Sequence, residues 1–136
     1  MIAYADSSAI LRTILSQPGA FGSWTKCTLV ATSALAWIEC SRAIERLRLV
    51  SSIDDKQRAK ISSKAREFFD QLTVFDVNDS ILEGAAGSFP TVVGTLDAIH
   101  LYTAILWKSS SNLDVVMVSH DEQLNTAALA SGLRIP

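Results

Sequence analysis

The run Val115-Val116-Met117-Val118 puts four apolar residues in a row between Asp114 and Ser119. A strand without polar alternation must be buried on both faces, as in a parallel sheet covered by helices. A similar run stands at Ile2-Ala3-Tyr4-Ala5, and shorter candidates lie at 29–32 and 74–77. Helical segments separate them. Ser7 or Ser8 starts one that reaches about Leu15 and ends at Pro18-Gly19, and 20–26 reads as a short helix. Ser33 caps a long helix through about Leu49, with Leu35, Ile38, Ala43 and Leu47 at apolar spacing. Asp54 caps the next, to about Leu72, and Asp79 or Ser80 opens one that stops near Gly87. Thr95 caps a helix to about Trp107, and Glu122 to Ala130 forms the last, ended by Gly132. Ser88–Gly94 and Ser109–Asn112 read as loops, and 133–135 as a further edge strand. Strands alternating with helices, without repeats or an internal linker, predict one three-layer α/β/α domain over residues 1–136 with a central, mostly parallel sheet.

Composition agrees with buried sheet faces: 49% of the 136 residues are apolar and 19% charged. No uncharged stretch approaches the roughly 18 residues of a membrane span, so no membrane partner is expected. Asp6 and the lack of a basic start argue against a signal peptide. Cys27 and Cys40 have no metal or redox spacing and read as free packing thiols in a reducing cytoplasm. The formal charge of −2 conceals an asymmetry. Residues 42–66 carry eight cationic side chains (Arg42, Arg46, Arg48, Lys56, Arg58, Lys60, Lys64, Arg66) against three acidic ones, a net +5, and the remainder is −7. A basic helical arm of that kind suits a phosphate backbone, and it equally suits a solvated helix face.

Four acids stand where strands end or helices begin: Asp6 after the first strand, Glu39 on the long helix, Asp97 in a first helical turn, and Asp121 after the last strand. Each has a plain structural role available. Asp6 and Asp121 are placed as N-caps, and Asp97 suits a helix dipole. Glu39 is harder to dismiss, because its segment Ala34-Leu35-Ala36-Trp37-Ile38 is apolar and glutamate is seldom buried without a partner. The carboxyl ends of parallel strands share one edge, where ligand crevices form. Carboxylates gathered there need a balancing cation, and oxygen-only ligands favour Mg²⁺ or Mn²⁺, ions that commonly serve phosphodiester chemistry. His100 and His120 lack metal-ligand pairing. His100 lies at i+3 from Asp97, able to support that carboxylate or simply to pack in the core. Trp24, Trp37 and Trp107 read as core or partner-facing. There is no glycine-rich phosphate loop and no nucleophile elbow.

The segments Tyr4-Ala5-Asp6-Ser7-Ser8-Ala9, Thr32-Ser33-Ala34-Leu35-Ala36-Trp37-Ile38-Glu39, Thr95-Leu96-Asp97-Ala98-Ile99-His100-Leu101 and Val118-Ser119-His120-Asp121-Glu122-Gln123-Leu124, with the tail Ala127 to Leu133, resemble the PIN-domain family and, within it, the VapC-type toxins of toxin–antitoxin pairs. The resemblance implies a metal-dependent endoribonuclease, commonly a homodimer, silenced by a small antitoxin protein. It implies that Asp6, Glu39, Asp97 and Asp121 form an acidic quartet, with Asp6, Asp97 and Asp121 as ligands of Mg²⁺ or Mn²⁺. Ser7, Ser8 and Ser119 fall at hydroxyl positions beside it. Arg42, Arg46 and Arg58 are the candidates for holding an RNA backbone. Two positions depart from the pattern: Gly94 stands where many relatives carry arginine, and Ser119 replaces the commoner threonine. The competing expectations are a catalytically weak, regulatory module that mainly binds its antitoxin, and a phospho-accepting receiver domain. The receiver is disfavoured because Asp6 has no paired acid and the last strand ends in an acid instead of a lysine.

Overall fold

In the computed structural model, which describes residues 1–50 and 52–136, four short strands form one parallel sheet. They are β1 (Ile2–Ala5), β2 (Leu29–Ser33), β3 (Thr73–Phe75) and β4 (Val115–Val118), in the order β3-β2-β1-β4. β1 pairs along its whole length with β4, from Ile2 opposite Val115 to Ala5 opposite Val118. Its other edge pairs with β2, from Ile2 opposite Leu29. The helices are α1 (Ser7–Ile14), α2 (Ala34–Leu49), α3 (Asp55–Phe69), α4 (Asp79–Ala85), α5 (Thr95–Ser111) and α6 (Glu122–Ala130).

The pleat divides the apolar residues between two helical layers, because successive strand side chains point to opposite faces. Tyr4, Val115 and Met117 pack with Leu101 and Ala104 of α5 and Leu124, Ala127 and Ala128 of α6. Ala5 lies on the other side with Ile10 and Ile14 of α1, Ala36, Cys40 and Ile44 of α2, and Ala65 and Phe69 of α3. Ala3, Ala9, Val116 and Val118 form a third cluster. All four residues of β4 are buried, as an uninterrupted apolar run requires. The expected three-layer α/β/α arrangement is the one the chain adopts.

Local signals place most boundaries. Ser33 Oγ accepts the Leu35 amide, and Asp54 with Gln57 forms a reciprocal capping box on α3. Four expectations change. α5 starts from Gly94 as N-cap instead of Thr95, with no side-chain capping bond. It also runs through the serines expected in a loop: Ser109, Ser110 and Ser111 turn their hydroxyls back to the carbonyls of Leu106 and Trp107, and the helix stops only where Asn112 turns left-handed at φ 54°. β3 starts one residue early and ends at Phe75, because only 73–75 pair with Ala31–Ser33. The expected strand at 133–135 reduces to one bridge, in which Met117 N–H donates to the Arg134 carbonyl at 2.7 Å.

α4 packs against α5 through Gly84, where a Cβ would stand 1.9 Å from the Tyr102 ring. Gly84→Ala should therefore force that ring aside and destabilise the fold by about 1–3 kcal/mol, a usual cost of overpacking. Urea unfolding should show the loss, and Gly84→Ala combined with Tyr102→Ala should recover part of it.

Candidate functional site

Parallel pairing brings Asp6, which follows β1, beside Ser119, which follows β4. Asp6 N–H continues the ladder to the Val118 carbonyl at 3.2 Å. The Asp6 side chain is buried and held by three donors. Ala9 N–H reaches Oδ1 at 3.0 Å, Ser8 Oγ lies 2.8 and 2.9 Å from the two carboxylate oxygens, and Ser119 Oγ donates to Oδ2 at 2.8 Å. The serines are fixed in turn: Ser8 Oγ accepts His120 N–H and Ser119 Oγ accepts Asp121 N–H, each at 2.9 Å. Asp6 is thus the cap of α1 and the centre of a small network joining two strand ends. Burial drives its carboxyl above the ordinary range, and the donated hydrogen bonds only partly offset that. Of the two serines expected nearby, Ser8 makes these bonds. Ser7 lends its backbone carbonyl to the Cys40 thiol at 3.7 Å.

Asp97 lies in the first turn of α5, half-buried. Its carboxyl is raised first by desolvation, then by the negative charges of Asp121 and Asp6. His100 works the other way. No donor among the described residues reaches the Asp97 carboxylate. Gly94 stands against it, and a Cβ there would lie 3.2 Å from Oδ2, so the residue that departs from the family pattern leaves this carboxylate room. Asp121 caps α6 through Oδ1, which accepts Leu124 N–H at 2.8 Å, while its second oxygen has no protein donor among the described residues.

Glu39 sits in the second turn of α2 and finds the partner that its apolar segment demanded. His100 Nε2 is 2.7 Å from Glu39 Oε2, and the Tyr4 hydroxyl is 3.0 Å from His100 Nδ1. His100 is only 1% exposed. Its support goes to Glu39 instead of the sequence-near Asp97. Cys40, next to Glu39, has its thiol pushed up to about 12 by burial and by the charges of Glu39 and Asp6, which removes it as a nucleophile at neutral pH. Cys27 and Cys40 are both free.

The arginine candidates divide. Arg42 and Arg46 are exposed and follow Glu39 at i+3 and i+7, along one face of α2. Arg58 instead pairs with Glu45 at 3.3 Å, and Arg48 shares the same carboxylate. Lys64 donates to the Thr13 carbonyl and to Ser16 Oγ. Part of the basic arm is therefore spent on holding α3 to α2 and α1. Of the tryptophans, Trp24 packs edge-on to Phe21 and Phe68, Trp107 on Phe75, and Trp37 on Phe69 with 39% of its surface exposed.

As the side chains stand, no group of three His, Cys, Asp or Glu among the described residues is arranged to hold a metal ion. Asp6 is turned to serines, Glu39 to His100, and Asp121 to the start of α6. The donor chemistry nevertheless suits a hard cation: the ligands on offer are oxygens, Asp97 and half of Asp121 have no protein donor among the described residues, and the charges of Asp121 and Asp6 add to the burial that raises Asp97.

Crowding has a measurable sign. A carboxyl raised in the folded state binds its proton more tightly there than in the unfolded chain. Stability therefore falls as pH rises from the unfolded carboxyl value of about 3.9 through the raised native value. Asp97→Asn removes that loss. In EDTA at pH 7 the variant should melt above the wild type, and the gap should close toward pH 4. In saturating Mg²⁺ it should shrink or reverse, since the wild type gains binding free energy. A dipole role alone would instead cost the variant about 0.3–1 kcal/mol in both buffers.

No family model matches the sequence, and no curated protein matches it. Solved structures do. The crystal structure of PAE2754 from Pyrobaculum aerophilum superposes with a TM-score of 0.66 at 18% identity, covering 99% of this chain and 83% of that one. That of VapBC2 from Rickettsia felis, bound to a DNA fragment from their promoter, superposes with a TM-score of 0.68 at 15% identity, covering 100% of this chain and 98% of that one. At such identities the likeness is one of fold. The chain has the PIN-like fold that its four acidic motifs anticipate.

Proposed function

We propose that this chain is a metal-dependent endoribonuclease, hydrolysing RNA phosphodiesters as the toxin of a toxin–antitoxin pair. The observation that carries the reading is the set of acids at one sheet edge, where burial first, and then the charges of Asp121 and Asp6, raise the Asp97 carboxyl. Asp6, Asp97 and Asp121 are the residues to hold Mg²⁺ or Mn²⁺. Such an ion supplies Lewis acidity and neutralises negative charge on the scissile phosphate. Ser8 and Ser119 fix the orientation of Asp6, so that one acid is preorganised before anything binds. Glu39, with Oε2 engaged by His100, keeps Oε1 to accept a proton from the attacking water. The water oxygen bonds to phosphorus, the bond to the 3′ oxygen breaks, and that oxygen takes a proton from solvent. The products are a 5′-phosphate and a 3′-hydroxyl.

Arg42 and Arg46 follow Glu39 along α2, and their role in this reading is to hold the RNA backbone without reading bases. Arg58 is the weaker candidate, because Glu45 already neutralises it. The antitoxin partner is supported by the fold shared with VapBC2. Exposed Trp37, Ile38, Leu49 and Val50 on and just after α2 offer apolar surface to such a partner or to a second copy in a homodimer. No helix among the described residues is long and apolar enough to cross a membrane.

Purified protein should cut structured RNAs in Mg²⁺ or Mn²⁺ and stop in excess EDTA, and Asp6→Asn should lower cleavage at least about 100-fold while the fold persists. Robust cleavage in EDTA would remove the metal from the reading. Filter binding across a salt series should show Arg42→Ala/Arg46→Ala lowering RNA affinity and flattening the salt slope by about 0.7 per lost phosphate contact on single strands. Arg58→Ala should change both much less, and equal effects from all three would place the RNA nearer α3.

A further inference from the structure

Behind Glu39 lies a buried chain of contacts that the acidic motifs do not announce. It joins Tyr4 of β1, His100 of α5 and Glu39 of α2, three elements that are 61 to 96 residues apart at the two contacts. Tyr4 and His100 are almost completely buried, whereas the Glu39 side chain keeps 22% of its surface exposed. Protons decide how the chain can be arranged. A 2.7 Å approach between Glu39 Oε2 and His100 Nε2 needs a hydrogen between them, since two bare acceptors would repel. A phenol has a single proton to give; His100 Nδ1 lies 3.0 Å from the Tyr4 hydroxyl, which also neighbours the Ser33 backbone and the Thr103 hydroxyl, the latter donating to the Ile99 carbonyl. Donation there occupies Nδ1 and leaves the ring proton on Nε2, facing the carboxylate.

We propose that Tyr4 and His100 are positioning residues for Glu39: the Tyr4 hydroxyl donates to His100 Nδ1, His100 Nε2–H donates to Glu39 Oε2, and Oε1 is left as the free acceptor of the carboxylate. The catalytic meaning rests on the nuclease reading above, with Glu39 receiving the proton of the attacking water. The pair also links the acid-bearing elements. Tyr4 lies on β1 two residues before Asp6, and His100 lies one helical turn after Asp97. Side chains that orient a reacting carboxylate commonly matter by 10–100-fold.

Two measurements test the pair. In metal-free wild type labelled with ¹⁵N-histidine, the Nε2 resonance of His100 should be that of a protonated nitrogen and should move in Glu39→Gln. Tyr4→Phe should alter Nδ1, because its donor is gone. A bare, pyridine-type Nε2 in the wild type would overturn the proposal. In cleavage assays, His100→Phe should lower kcat by about 10–100-fold with KM for RNA unchanged. His100→Gln, which keeps an N–H donor, should recover much of that loss. Equal kcat in wild type and His100→Phe, or a change confined to KM, would also overturn it. Tyr4→Phe removes one oxygen from the core and serves where the ring replacement does not fold. A wild type that cleaves no RNA under any metal condition would sink the nuclease reading instead, and the nitrogen spectra would still decide whether His100 donates to Glu39.

Discussion

The site depends on β1 and β4 lying side by side in parallel. That pairing sets Ala5 opposite Val118, and the next residue of each strand then supplies Asp6 and Ser119 to a shared corner. Asp6 is buried there because it follows a strand covered on both faces, and a buried carboxylate must be surrounded by donors. Ser8, Ser119 and the Ala9 amide provide them. The same bonds draw in His120 and Asp121 through their backbone amides. One register between two strands thus fixes two segments of the acidic edge, 6–9 and 119–121.

Capping and site roles coexist in these acids. Asp6 and Asp121 each give one oxygen to a helix start, which leaves the second free of that task. A helix N-terminus favours a negative charge, so the fold tolerates carboxylates that repel one another. The tolerance has limits. Asp97 has no protein donor of its own among the described residues, and its carboxyl is raised by burial and then by the charges of Asp121 and Asp6.

The sheet and the four acids were legible in the sequence because their signals are local. Apolar runs of four residues mark β1 and β4 and a shorter one marks β2, and an acid shortly after a strand end or in an early helical turn falls at the same edge in any parallel arrangement. What connects distant segments was not legible. Glu39 announced a missing partner by its apolar neighbours, but nothing local pointed to His100, 61 residues away. Arg58 looked like a free cation until the folding of α3 against α2 brought it to Glu45. The serines after Trp107 read as loop by composition, yet in the helix they satisfy their hydroxyls on the preceding turn. Gly94 gave no capping signal, because α5 begins there without a capping side chain.

The two borders of the sheet bear on how copies of this chain can meet. A strand at the border of a sheet offers unpaired amides and carbonyls to any passing chain, and folded proteins blunt that invitation. Here β4 is shielded by the tail, where the Met117 amide is taken by the Arg134 carbonyl. β3 is three residues long and is followed at once by Asp76. Little template remains on either side for strand-to-strand stacking. The apolar surface exposed around α2 is free of that hazard, so it can be presented to other molecules without inviting the uncontrolled aggregation that an open β border would bring.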